Sequence, residues 1–278
     1  FRSRERAGKA ATEARAVHPG RAPGAPGPGQ RRRVILWPDT FNNAFHPELG
    51  RLAVEVLEAA GFRPVLPDAT LCCGRPLYDF GMLGLARRQL RGVLDALRDE
   101  IRAGTPVVGL EPSCMATFRD ELPGLFPDDD DARRLARQSY LLSELLRDLA
   151  PGVDLGRLDG RRALVHGHCH QKAVLDFDAE VALLEELGLD CRVLDSGCCG
   201  MAGSFGFETD HYDVAQACGE RVLLPAVAGA EPGTLVVTSG FSCREMIRQN
   251  DMPRPLHLVE VLHRAMDAAG LLAGGPTP

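Results

Sequence analysis

The sequence predicts an α/β protein made of two tandem repeats of a parallel β-α-β unit, each with a Cys-Cys-Gly loop at the carboxyl end of a strand. Three observations predict it. A shift of 129 residues lays Arg-Arg-Val-Ile-Leu (32–36) on Arg-Arg-Ala-Leu-Val (161–165). The triplet Cys-Cys-Gly occurs at 72–74 and again at 198–200, followed by the lone cysteines Cys114 and Cys243. Short apolar runs alternate with amphipathic helical patterns, the order of a parallel sheet covered on both faces. A single triplet can arise by chance, but a repeated order of strand, helix, strand, triplet, helix, strand, cysteine does not.

Each unit opens on a strand, 32–36 or 161–165, as a short apolar run after a basic pair. An amphipathic helix follows, 48–60 or 179–187, and ends at a glycine suited to a left-handed cap, Gly61 or Gly188. A second strand, 64–66 or 192–194, runs into the triplet. A longer helix comes next, 82–102 or 208–227, and a third strand, 106–110 or 234–238, delivers the lone cysteine. A helix over 131–149 joins the units, and an amphipathic helix follows His257. The expected boundaries are a disordered, basic, Pro/Gly-rich linker at 1–32, the first repeat with its connecting helix at 33–150, the second repeat at 151–265 and a flexible tail at 266–278.

Charge is unevenly spread over the 278 residues. Residues 1–33 hold nine Arg/Lys against two Asp/Glu, which leaves the remainder near −13. An acidic body argues against nucleic acid as a partner. Nine cysteines without a leader pattern fit a reducing, cytoplasmic setting. No apolar run reaches the ~20 residues that span a bilayer, so membrane contact is expected to be peripheral at most, on the inner face. The first residue is Phe, and we expect the chain to be part of something longer.

Adjacent cysteines make poor disulfide partners but present two thiolates to one metal centre, and a neighbouring glycine lets that centre approach the backbone. In the second repeat Cys169 falls in the loop after the first strand, so Cys169, Cys198, Cys199 and Cys243 supply four thiolates. Four cysteines suit a [4Fe–4S] cluster and also structural zinc. Ser242 and Glu245 match a capping box, which places Cys243 in a first helical turn where the dipole favours thiolate. His166, His168 and His170 alternate around Cys169. Period two puts them on one face of an extended strand and Cys169 on the other, so support of the ligands is the expected role. His168 and His170 are the better placed for ligation. The first repeat has Cys72, Cys73 and Cys114, with Thr40 where Cys169 stands, and Glu111 or Asp39 can complete a set of four there for a second metal site. Cys191 and Cys218 read as small core residues.

Asp39-Thr40-Phe41, CCGRPL, Glu111-Pro112-Ser113-Cys114, HGHCHQK, SGCCGMAGSFG and SGFSC together resemble the cysteine-rich CCG domain family over about residues 33–265. That family includes the heterodisulfide reductase B subunit, the iron–sulfur subunits of glycolate oxidase and anaerobic glycerol-3-phosphate dehydrogenase, and the lactate-utilisation proteins. The strings are most similar to the carboxyl-terminal region of fused FAD- and iron–sulfur-containing dehydrogenases of D-lactate and D-2-hydroxyglutarate. The resemblance implies an iron–sulfur electron-transfer module of an FAD-linked 2-hydroxy acid dehydrogenase. Its partners would be upstream FAD and ferredoxin-like domains or subunits, and a quinone or other acceptor. The fragment itself shows no FAD motif and is not expected to act on substrate alone. One departure matters. The family signature has Cys-x-x-Cys after each triplet, and here its first position is Glu111 in one repeat and Gly240 in the other. The departure counts against non-cubane clusters and disulfide-reducing chemistry and favours ordinary electron transfer, with the cluster type left open. The alternatives are a docking domain with zinc or no metal, and thiol–disulfide reduction at a cluster.

Overall fold

Two parallel sheets carry the two repeats in the computed structural model, which describes residues 31–272. The first has the order β2–β1–β3–β4, from β1 (Arg32–Trp37), β2 (Phe62–Val65), β3 (Val107–Gly109) and β4 (Ser139–Leu141). The second has the order β6–β5–β7, from β5 (Arg162–Val165), β6 (Asp190–Val193) and β7 (Leu235–Val237). The register repeats as well: Ile35 faces Val65 and Val107, and Val165 faces Val193 and Val237. All pairs are parallel, so every loop after a strand opens at one edge of its sheet.

The helix expected over 131–149 is two helices, Asp130–Gln138 and Leu142–Leu149, with β4 between them. Ser139, Tyr140 and Leu141 are buried and pair with β3, so sheet formation overrides the helical period. The second repeat holds a reduced counterpart, a single parallel bridge from Leu256 to Val237. Each repeat then ends in a helix with a Glu in the N3 position, Glu144 in Leu142–Leu149 and Glu260 in Leu258–Ala268. The connecting helix and the last helix are thus equivalent parts of one repeat. The helix expected over 82–102 divides at Leu97, and that over 208–227 becomes Tyr212–Gly219 and Leu223–Ala228. Arg32 already belongs to β1, and the last helix runs past residue 265 with Met266 fully buried, so both expected boundaries move. The linker at 1–30 and the tail from 273 lie outside the described residues.

The repeats exchange their terminal helices. Leu258–Ala268 of the second packs on Pro47–Ala59 of the first, where His263 Nε2 lies 2.7 Å from Glu55 Oε2. Leu142–Leu149 of the first packs on Phe177–Glu186 of the second, where Glu144 Oε1 accepts Asp176 N–H at 3.1 Å. One apolar core results, containing Val34, Leu57, Val108 and Leu145 from the first repeat and Val165, Leu184, Val237 and Leu262 from the second. Among the described residues no helix is long and apolar enough to cross a membrane.

Candidate metal centre

The second-repeat site forms where three strands end. After β5, His168 caps the helix Cys169–Ala173: its Nδ1 accepts His170 N–H at 3.2 Å, while Gln171 Oε1 accepts His168 N–H at 3.0 Å. Gln171 in turn donates to Glu180 at 2.6 Å, and Ser239 Oγ donates to the same carboxylate at 2.9 Å. These buried bonds fix the start of the helix and thereby Cys169. After β6 the chain enters Cys198-Cys199-Gly200, with Gly200 at φ +102°. A Cβ there would lie 2.1 Å from the Ala215 carbonyl oxygen, so the loop closes only with glycine. After β7 comes the helix Phe241–Gln249 carrying Cys243.

These elements bring all four expected cysteines together. Cys169 contacts Cys198, Cys198 contacts Cys199, and Cys199 contacts Cys243. Cys198 is pushed down to about 2 by hydrogen bonds from Cys169, Cys199 and the Gly200 N–H. Cys243 is held well below the thiol range by the bond from Cys199, with the imidazoles of His166 and His168 adding to it. The donors Cys169 and Cys199 are correspondingly raised. Two thiols thus donate to two sulfurs that favour the thiolate form.

Backbone geometry supports the same reading. In the second triplet Gly200 N–H points at Cys198 and Met201 N–H at Cys199. In the first, Gly74 N–H points at Cys72 and Arg75 N–H at Cys73. Each cysteine of a pair thus accepts the N–H two residues on, a turn that Gly74 enters at φ +77°.

The first-repeat trio is also assembled. Cys73 Sγ and Cys114 Sγ lie 3.1 Å apart, and Cys72 touches Cys73 and the Thr40 hydroxyl. Its electrostatics differ from the second site. Contact with Cys73 favours the Cys114 thiolate, but burial and the Asp39 and Glu111 carboxylates outweigh it, and the thiol is raised. Cys72 and Cys73 are raised as well, each chiefly by donating to the next sulfur. No thiolate is stabilised in this trio. Glu111 has both oxygens engaged by backbone, Oε1 with Ser113 N–H at 3.1 Å and Oε2 with Phe241 N–H at 2.8 Å. Asp39 is likewise occupied, accepting Asn42 N–H at 2.8 Å and Asn42 Nδ2 at 2.9 Å.

The three histidines do not share one face of a strand, because β5 stops at Val165 and the chain turns into a helix at Cys169. His166 pairs through Nδ1 with Ser196 Oγ at 2.7 Å and contacts Cys243. The ligand atoms of His168, Cys169 and His170 lie within 4.8 Å of one another. Ser242 is not the helix cap. Gly240 occupies that position, and Glu245 turns to His46 at 3.2 Å. Cys243 remains in the first turn. Cys191 and Cys218 are half-buried, and Cys191 packs against the shared apolar core.

Three residues of the site escape sequence reasoning. Arg75 Nη2 lies 2.6 Å from His170 Nε2, joining the first triplet to the second-repeat helix. Arg244, fully buried beside Cys243, donates to Ser239 O at 2.6 Å and to Asn42 Oδ1 at 2.5 Å. Arg244 and Arg75 had as a signal only their places beside a cysteine in a first turn and beside a Cys-Cys-Gly triplet; Asn42 had none.

Known proteins share this chain's pattern. The profile of the cysteine-rich domain CCG matches residues 39–119. The C subunit of anaerobic glycerol-3-phosphate dehydrogenase from Escherichia coli (strain K12) is 30% identical over 238 residues, covering 84% of this chain and 59% of that protein. Lactate utilization protein A of Geobacillus kaustophilus (strain HTA426) is 30% identical over 244 residues, covering 83% of this chain and 98% of that protein. The chain belongs to the cysteine-rich CCG domain family. Lactate utilization protein A of Bacillus subtilis (strain 168) is 28% identical, with 99% of its length covered. The chain therefore spans 59% of the glycerol-3-phosphate dehydrogenase relative and nearly all of lactate utilization protein A. Gly240 stands where the resemblance leads us to expect a cysteine, and its surroundings leave no room for one. A Cβ at 240 would lie 2.3 Å from His168 Cδ2, so His168 fills the space that a side chain at 240 would need.

Proposed function

We propose that the chain is the iron–sulfur, electron-transfer part of an oxidoreductase, with a [4Fe–4S] cluster held by Cys169, Cys198, Cys199 and Cys243. One observation carries the reading: four cysteines from three loops meet in one row, with backbone N–H groups aimed at their sulfurs and two of the four already favoured as thiolates. The cluster supplies one-electron chemistry, and burial together with N–H and imidazole contacts sets its potential. Cys73, Cys114 and Cys72 form a weaker three-thiol site, and we assign Glu111 to bracing the repeats.

Further parts of the proposal rest on the relatives. One is by name part of a dehydrogenase, and others are named for the use of lactate, a 2-hydroxy acid. An FAD-bearing domain or subunit would deliver electrons from such a substrate, and a quinone or another carrier would receive them. Free thiols at every described cysteine fit a cytoplasmic place, with membrane contact peripheral at most.

Anaerobic reconstitution with iron and sulfide tests the cluster. We expect about four irons, matching sulfide and an EPR signal on reduction. A folded, colourless protein with stoichiometric zinc would replace the cluster by a structural metal.

A further inference from the structure

Among the described residues eleven large apolar side chains are exposed: Phe41, Phe45, Leu66, Phe80, Met82, Leu83, Leu85, Val193, Phe207, Tyr212 and Val214. Every one ends a strand or lies in a segment that leaves its carboxyl edge. Phe41 and Phe45 follow β1, Leu66 follows β2, Val193 ends β6, and the others follow the two triplets. The two carboxyl edges meet. The helix Cys169–Ala173 touches Pro112–Ala116, and a Cβ on Gly203 would lie 3.7 Å from Asp79 Oδ2. Cys198, the exposed cysteine of the set, opens on this end.

Within the two segments that follow the triplets the exposed charges have one sign, and the exposed Arg87, Arg88 and Arg192 lie just outside them. Between residues 66 and 86 the exposed charges are Asp68 and Asp79, and between 194 and 214 they are Asp195, Glu208, Asp210 and Asp213. Neither stretch has an exposed Lys or Arg. Arg75 is buried against Glu121, and Lys172 at the rim is turned onto the Ser196 and Gly197 carbonyls. Apolar side chains scattered singly need no explanation, but their confinement to the cysteine end, among acidic groups, does. Acidic residues repel an anionic bilayer and attract a basic protein.

We infer that this end is the docking face for a redox protein whose contact surface is an apolar patch ringed by Lys or Arg. The inference rests on the electron-transfer reading but concerns association, which is measured without a cluster. Contact at Phe207, Tyr212 and Phe80 would bring such a partner beside Cys198, while Asp210 and Asp213 steer its approach.

The test is association of the colourless and the reconstituted full chain with a basic c-type cytochrome, whose haem edge lies in an apolar, lysine-ringed patch, by titration calorimetry at low and high salt. We expect binding that weakens at least tenfold as salt rises. Asp210→Lys/Asp213→Lys and Phe207→Ser/Tyr212→Ser should each lose at least tenfold. Glu58→Lys/Asp267→Lys, placed at helix carboxyl ends on the opposite edge, should bind as the parent does. Equal binding by parent and face variants overturns the inference. So does preference for an acidic ferredoxin, or capture of the face by vesicles of anionic phospholipid. Iron content is read separately, so failure of docking and failure of the cluster are distinguishable.

Discussion

The Arg75 guanidinium and the His170 imidazole link the two cysteine sites, with Nη2 2.6 Å from Nε2. His170 is pushed down to about 3, first by burial and then by the neighbouring His168 and Arg75, so it is neutral and accepts the bond. Arg75 also pairs with Glu121, and its own N–H points at Cys73. One residue thus touches the first triplet with its backbone and the second-repeat helix with its side chain.

Removing this guanidinium leaves the half-buried Glu121 without its cationic partner. Arg75→Met is expected to cost about 3 kcal/mol in urea unfolding, and the double variant with Glu121→Gln less than the sum of the two single changes. Additive losses would mean that the pair is not coupled.

Glu111 braces the repeats through one carboxylate and two backbone N–H groups. Glu111→Gln turns an amide donor toward one of those donors, and we expect a loss of about 2 kcal/mol. Unchanged stability by chemical denaturation would remove Glu111 from the interface.

Gly200→Ala places a methyl group against the Ala215 carbonyl at a φ that side chains disfavour. A loss of about 2–4 kcal/mol is expected. Gly50→Ala, in the helix Pro47–Ala59 with nothing within 4 Å, should gain up to about 1 kcal/mol. Thermal melts of the two variants check both signs.

His257 gives the acid side of the stability profile. Burial, with Arg244 adding to it, pushes its titration down to about 3; Nε2–H donates to Leu110 O at 2.9 Å and Nδ1 accepts Val259 N–H at 2.9 Å. As pH falls from about 6.5 towards 3, the unfolded chain binds a proton that the folded chain refuses, so stability falls by about 1.4 kcal/mol per pH unit for that proton. Asp39 and Glu180 act oppositely. Burial raises them to about 6 and about 7, so their contribution is present below about pH 4 and is lost as pH rises through those values. His257→Asn keeps an acceptor for the helix, and its unfolding free energy should fall less steeply with acid, by about one proton. An unchanged slope would assign the acid response elsewhere.

Much of this was legible in the sequence because the repeat wrote it twice. Strand, triplet and lone cysteine recur in order, and the parallel sheets follow that order. The strand at 139–141 was not legible, since three buried residues inside a helical pattern carry no local mark of sheet pairing. Ser242 and Glu245 misled because a capping signature is local, whereas Glu245 is drawn to His46, far away in the chain. Arg244 to Asn42, Glu111 to Phe241 and Arg75 to His170 join residues 95 to 202 positions apart, and no periodicity reports such pairs.

The most direct measurement is the iron and sulfide content of Cys198→Ser and Cys218→Ser after identical anaerobic reconstitution. Cys198 stands in the middle of the thiol row, while Cys218 lies half-buried in a helix outside it. We expect Cys218→Ser to retain about four irons with their EPR signal and Cys198→Ser to lose them. Equal iron in the two variants would contradict the four-cysteine centre.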